Sequence, residues 1–305
     1  MRYTVVLTAT FPAVARDLLG PHADVVEHPT EHGRSEEDMI TLLADADAAV
    51  TLLQDPITRR VLESNPHLRI VSNFAVGYNN VDIDAARELG VVVTNTPGVL
   101  TEATADLTMA LILAVTRRIV EGDEEIRTRG RCEWEPLKLL GASLQGRRLG
   151  VIGMGRIGTA VATRARAFGM DILGVRSGDS ANEILATSDV ITIHAPLTRE
   201  THHLIDRNAL ARMKAGAYLI NTSRGALVDE EALCDALESR HLRGAALDVY
   251  EHEPVVNPRL LRLENVVIVP HIGSATEEAR NAMARIAATN VLLFLRGQEP
   301  LHRVV

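Results

Sequence analysis

Three stretches of the chain place reactive side chains directly behind short apolar runs. LINTSRGALVDEEAL carries Arg224, GAALDVYEHEP carries Asp248, Glu251 and Glu253, and NVVIVPHIGSAT carries His271. An arginine offers a carboxylate a planar, two-pronged donor. A histidine exchanges a proton near neutral pH, and a hydrogen-bonded carboxylate fixes its tautomer and favours its charged form. Taken singly, each residue has an ordinary reading. Loop Arg and Glu side chains are usually solvated charges, and a His after a strand is usually structural. The chain has 11 His, so most of them are bystanders. EHE offers two acids, and spacing alone does not choose between Glu251 and Glu253.

Upstream, GVIGMGRIG sets Gly153, Gly155 and Gly158 in a G-x-G-x-x-G pattern between an apolar strand and the helix RIGTAVATRARAFG. In that context Gly153 permits a tight turn, Gly155 lets backbone approach a pyrophosphate, and Gly158 lets helix and strand pack closely. The helix start, with Arg156 and Ile157, presents free N–H groups and a positive dipole end to phosphates. A dinucleotide is the expected ligand. An acid usually stands about 20 residues further on, where it binds the adenosine ribose. Here DILGV ends at Arg176 and Ser177, and Asp179 lies three residues beyond Arg176. Arg176 and Ser177 would favour a 2′-phosphate, so NADP(H) is expected in preference to NAD(H). The ordinary reading of Arg176 is a solvated loop cation.

These residues need a scaffold, and the pattern around them is α/β: β-branched runs alternate with helical stretches throughout. YTVVLTA, AAVTLL, LRIVSNF and VVVTNTP predict strands of a first parallel sheet. RLGVIG, DILGV, VITIHAP, AYLINTS, GAALDV and NVVIVPH predict those of a second. Between them, LTEATADLTMALILAVTRRIVEGDEEIRTRG keeps helical spacing for several turns and predicts one long helix with Thr101 as its N-cap. The expectation is two Rossmann-like or flavodoxin-like domains with a substrate cleft between them. The substrate domain takes residues 1–98 plus 285–305, and the dinucleotide domain takes 99–284.

A net charge of −8 and a pI near 5.8 argue against nucleic acid or an anionic membrane as partner. No apolar run reaches the ~20 residues of a membrane span. The opening MRYTVVLTATFP reads as a first strand rather than a secretory leader, so a cytoplasmic location is expected. Cys132 and Cys234 stand far apart, which predicts neither a metal cluster nor a disulfide framework.

Together, GMGRIG, NTSRG, DVYEHEP and PHIGS, in this order, resemble the D-isomer-specific 2-hydroxyacid dehydrogenases. The likeness runs from IVSNFAVGYNNVDIDAARELGVVVTNTPGVLTEATAD to PHIGSAT. It is closest to the glyoxylate and hydroxypyruvate reductase branch. The resemblance implies NAD(P)H-dependent reduction of a small 2-keto acid to the D-2-hydroxy acid, with no metal. It assigns Arg224 to the substrate carboxylate and carbonyl, Glu253 rather than Glu251 to the partner of the catalytic His, and His271 to the acid/base. Val76 and Gly77 in FAVGYNN match a loop that holds the carboxylate. Thr104, Thr222, Ser223, Asp248 and Gly273 match cofactor-contacting positions. CEWEPL resembles a segment that reaches a neighbouring subunit's substrate pocket, which implies a homodimer and a substrate role for Trp134. Ordinary packing is the other reading of that Trp. The alternative function is a dinucleotide-sensing, non-enzymatic module of the corepressor kind on the same fold. Family members usually place a further strand and helix after the second strand. GDSANEILATS leaves room for a turn and one short helix, so one strand–helix unit at the sheet edge is expected to be absent.

Overall fold

A computed structural model describes residues 2–29, 33–176 and 178–305. The chain runs β1 (Tyr3–Leu7), α1 (Val14–Leu19), β2 (Ala23–Glu27), α2 (Glu36–Leu42), β3 (Ala48–Thr51), α3 (Arg59–Ser64), β4 (Ile70–Asn73), α4 (Ile83–Leu89) and β5 (Val92–Thr94). Two helices follow, α5 (Thr101–Arg117) and α6 (Ile119–Arg129). Next come β6 (Arg148–Ile152), α7 (Arg156–Ala167), β7 (Asp171–Val175), α8 (Asn182–Thr187), β8 (Val190–Ile193), α9 (Arg207–Arg212) and β9 (Tyr218–Asn221). A 3-10 turn at Gly225–Leu227 leads to α10 (Glu230–Glu238), β10 (Gly244–Leu247), β11 (Val266–Ile268) and α11 (Glu277–Leu295).

Two compact units result, one of residues 1–100 with 275–305 and one of residues 101–274. The second division falls ten residues before the expected 284/285, because α11 is one unbroken helix. Thr276 caps its start by accepting the Ala279 N–H, so residues 277–284 cannot part from 285–295.

In the first unit five parallel strands lie in the order β2-β1-β3-β4-β5. β3, β4 and β5 are buried along their whole length, and such strands read as continuous apolar runs. β2 is the half-exposed edge strand ADVVE, and no run in the sequence announces it. α11 packs on β4 and on α1. The tail returns to the other edge, where Val304 N–H donates to Val93 O at 2.7 Å.

The second unit carries a six-stranded parallel sheet, β11-β10-β9-β8-β6-β7. All six expected strands are present. β7 stands at the edge, and residues 178–189 hold the helix α8 and no strand. The expected single long helix is instead two. Arg118 takes a left-handed φ of 53°, and its guanidinium turns onto Glu121 at 2.8 Å in the first turn of α6. The Thr116 carbonyl, which a continuing helix would bond internally, instead accepts the Ala142 N–H at 2.8 Å. A segment about 25 residues downstream thus ends α5. Thr101 is the first residue of α5 rather than a residue before it.

Candidate active site

The glycine loop joins β6 to α7. Gly153 has φ of 102°, and a Cβ there would stand 2.5 Å from the His194 carbonyl carbon. This turn needs glycine for both conformation and space. A Cβ on Gly158 would meet the Gly153 carbonyl oxygen at 2.2 Å, so helix and turn are in direct apposition. Gly155 differs from both, because a Cβ there would meet nothing within 4 Å. It is the N-cap of α7 and no side chain caps that end. An uncapped helix start behind an open glycine, with Arg156 and Ile157 as its first residues, fits a pyrophosphate.

Arg176 follows β7 directly and is exposed. Its backbone N–H donates to the Asp179 carboxylate at 2.9 Å. The nearby acid is therefore folded back onto the loop backbone. Ser177 lies outside the described residues.

Beyond the glycine loop, the candidate residues converge at the carboxyl ends of β9, β10 and β11, where ligands bind in open parallel sheets. After β9, buried Asn221 shapes the turn: its Nδ2 donates to the Arg224 carbonyl at 2.8 Å, and its Oδ1 accepts the Ser223 N–H at 3.1 Å. Ser223 Oγ donates to Ala195 O at 2.6 Å. The half-buried Arg224 guanidinium donates to the Ser223 carbonyl at 2.6 Å. Burial lowers the Arg224 pKa, and the charge of Glu253 opposes that shift.

After β10, Asp248 is buried, and its two carboxylate oxygens accept the Ile272 and Gly273 N–H groups at 2.6 and 2.8 Å. Burial raises its pKa against those bonds and the His271 charge. These bonds brace the turn in which His271 adopts a left-handed φ of 52°, a conformation costing about 1–2 kcal/mol for a residue with a Cβ. Thr104 on α5 donates to the Gly273 carbonyl at 3.1 Å. Thr108, one turn along α5, shares a 3.0 Å hydrogen bond with Thr222. Sequence reasoning misses Thr108, because a threonine inside an apolar helix carries no signal of its own.

His271 Nδ1 lies 2.9 Å from Glu253 Oε2. Glu253 Oε1 accepts the Tyr250 N–H at 3.0 Å. Burial would raise the Glu253 pKa. The hydrogen bond and charge of His271, the Tyr250 N–H and the Arg224 charge outweigh it and hold the carboxyl below its usual range. Glu251 is engaged elsewhere, 2.6 Å from His203 Nε2.

Two further sets of candidates lie on other segments of the chain. Val76 and Gly77 follow β4 in the first unit, where Asn95 Nδ2 donates to the Val76 carbonyl at 2.7 Å and Asn73 Nδ2 to that of Gly77 at 2.9 Å. Trp134 lies in the segment after α6 and is 84% exposed.

A glycine-lined helix start and a carboxylate-held imidazole beside a guanidinium, on one parallel sheet, are the parts of a dinucleotide-binding domain with an ionisable cluster at its strand ends. Residues 109–273 match the family of the D-isomer specific 2-hydroxyacid dehydrogenase, NAD binding domain. A glyoxylate reductase of Thermococcus litoralis is 47% identical over 279 residues, covering 86% of this chain and 84% of that protein. A crystal structure of a protein from Thermus thermophilus superposes with a TM-score of 0.94 at 44% identity, covering 99% of this chain and 100% of that one. An NADPH-dependent glyoxylate/hydroxypyruvate reductase of Sinorhizobium meliloti, solved with NADP and malonate, superposes with a TM-score of 0.86 at 31% identity, covering 100% of this chain and 97% of that one. The chain belongs to the D-isomer-specific 2-hydroxyacid dehydrogenase family, in the branch of the glyoxylate reductases. It is an NAD(P)-dependent oxidoreductase. Among the described residues no helix is long and apolar enough to cross a membrane.

Proposed function

We propose that this chain reduces glyoxylate, hydroxypyruvate or a similar small 2-keto acid to the D-2-hydroxy acid, with NADPH preferred to NADH and His271 as acid/base. The observation that carries the reading is the His271 Nδ1–Glu253 Oε2 pair at 2.9 Å, held in the same unit as Arg224.

When bound, the nicotinamide supplies the hydride that reaches C2 of the keto acid. The chain's residues do the rest. Arg224 binds the carboxylate and polarises the carbonyl. Glu253 holds the ring by Nδ1 and stabilises the imidazolium, leaving Nε2 to hand its proton to the carbonyl oxygen. Hydride at carbon and proton at oxygen together make the hydroxyl product, and in oxidation both steps reverse. Asp248 braces the turn that aims His271. Thr104, Thr222, Ser223 and Gly273 frame the cofactor beside it, and Val76 and Gly77 are assigned to the substrate carboxylate.

The cofactor preference rests on exposed Arg176 and on the turning of Asp179 onto the Arg176 backbone. A homodimer is supported by α6, which buries none of its residues, and by the exposure of Trp134 and Leu137. Apolar surface of this kind usually meets a partner, and Trp134 is assigned to the partner's substrate pocket.

The test is a spectrophotometric assay of NADPH oxidation with glyoxylate, hydroxypyruvate and pyruvate. His271→Ala should lose about 10²–10⁴-fold in kcat while binding NADPH almost unchanged. Undiminished kcat rejects the assignment of His271. Tight NADPH binding by the unaltered chain without turnover of any 2-keto acid would instead identify a dinucleotide sensor.

A further inference from the structure

Away from the Arg224–Glu253–His271 cluster, the loop before Leu204 and the segment after Tyr250 bring His202, His203 and Glu251 together. One potential ligand atom from each lies within 4.8 Å of the others. The two imidazole rings stack with centroids 4.1 Å apart and planes 30° from parallel. Consecutive side chains on an extended chain point to opposite faces. Here His203 has a left-handed φ of 49°, fixed by its N–H bond to Ala226 O at 2.9 Å, and both rings face one side. Glu251 is braced from behind. Its Oε2 accepts the Glu230 N–H at 3.2 Å, and its own N–H donates to Glu230 Oε1 at 2.6 Å. Carboxylates that bind metals receive outer support of this kind. Glu251 Oε1 is left facing His203 Nε2 at 2.6 Å.

We propose that His202, His203 and Glu251 form a binding site for a divalent transition-metal ion of the zinc type. Two imidazoles and one carboxylate are a donor set that zinc accepts, with water completing four-coordination. Magnesium and calcium favour oxygen ligands, and no thiolate is present to select a softer ion. The His203–Glu251 hydrogen bond marks the point of entry. Two ligands at zinc bond lengths of ~2.0–2.2 Å stand roughly 3.3 Å apart around a tetrahedral ion. The ion therefore replaces the shared proton, which leaves to solvent, and opens the pair by less than ~1 Å. His202 is exposed and the other two are partly so, so the ion reaches them directly. The site is separate from the proton-transfer pair, because Glu253 and not Glu251 holds His271.

The experiment is equilibrium dialysis of the full chain against zinc alone, with metal content measured per chain, and with cobalt(II) as a spectroscopic substitute. One ion per chain and a tetrahedral cobalt spectrum are expected. His202→Ala changes an exposed side chain and should weaken zinc binding by about tenfold or more, as should Glu251→Gln. His271→Ala should leave zinc binding intact. A zinc affinity equal in the unaltered chain and His202→Ala overturns the proposal. So does no binding at all, or a site lost in His271→Ala and kept in His202→Ala.

Discussion

Gly225 and Tyr250 lie backbone against backbone: a Cβ on Gly225 would stand 1.8 Å from the Tyr250 carbonyl carbon and 2.3 Å from the Glu251 nitrogen. The residue after Arg224 is thereby pressed onto the strand end that leads to Glu253. The approach of the Arg224 segment to the segment carrying Glu253 is thus a contact of main chain with main chain.

Gly225→Ala must therefore push the two segments apart. Overpacking of this kind costs about 1–3 kcal/mol, so a lower Tm is expected. A fall in kcat should accompany it, with NADPH affinity nearly kept, because the glycine loop lies on another turn. Thermal melts with single-turnover kinetics check both. A variant with normal Tm and normal kcat contradicts the close approach.

Glu253 has a lowered pKa. The stability it contributes through His271 is complete above the ordinary carboxylate range and disappears as pH falls through the lowered value. Glu253→Gln keeps the shape and removes the charge that favours the imidazolium. The kcat for keto-acid reduction should fall by about 10²-fold, with NADPH affinity nearly kept. Turnover identical to that of the unaltered chain argues that the 2.9 Å pair has no part in proton transfer.

Arg176→Asp should invert the cofactor preference. If the guanidinium holds a 2′-phosphate, the kcat/KM ratio of NADPH to NADH falls by about 10- to 100-fold, the worth of one or two charge-assisted hydrogen bonds. Steady-state kinetics with both cofactors decide, and an unchanged ratio makes Arg176 a surface cation only.

His194 follows β8, with its ring 3.0 Å from Thr192 Oγ1, and burial pushes its pKa down to about 4. The unfolded chain takes up this proton below about 6.5, while the folded chain resists until about 4. Stability should therefore fall as pH drops across that window, by on the order of 2 kcal/mol allowing for partial access to water. His194→Gln should flatten the dependence of Tm on pH between about 6.5 and 4. A slope as steep as before would place the titration elsewhere.

Among the described residues ten of the eleven strands are legible in the sequence, most of them as the short apolar runs that buried parallel strands form. β2 is not, since its half-exposed ADVVE alternates over too few residues to stand out. The break at Arg118 is hidden for a different reason. Helical periodicity runs on through TRRIVEG, and what stops α5 is a hydrogen bond from Ala142. The site divides in the same way. Arg224, Glu253 and His271 stand in loops behind strands, and the family motifs single them out where residue type alone does not. Asn221, Thr108 and Gly225 support them through contacts that exist only once β9 and β10 and helix α5 have met. The two acids of EHE are told apart by tertiary partners, His203 for Glu251 and His271 for Glu253.

The first unit is sewn from residues 1–100 and 275–305, and this sets an order of events on the ribosome. Residues 101–274 form a continuous stretch whose sheet can close as soon as it emerges. The five strands made earlier must wait. Until α11 is delivered they lack its cover over β4, and until Val304 arrives the β5 edge lacks its last partner. At about 5–20 residues per second, that interval is about 10–40 seconds. An open parallel edge is a template for pairing with another chain. The part of the first unit synthesised earliest is therefore completed only when residues 275–305 have been made.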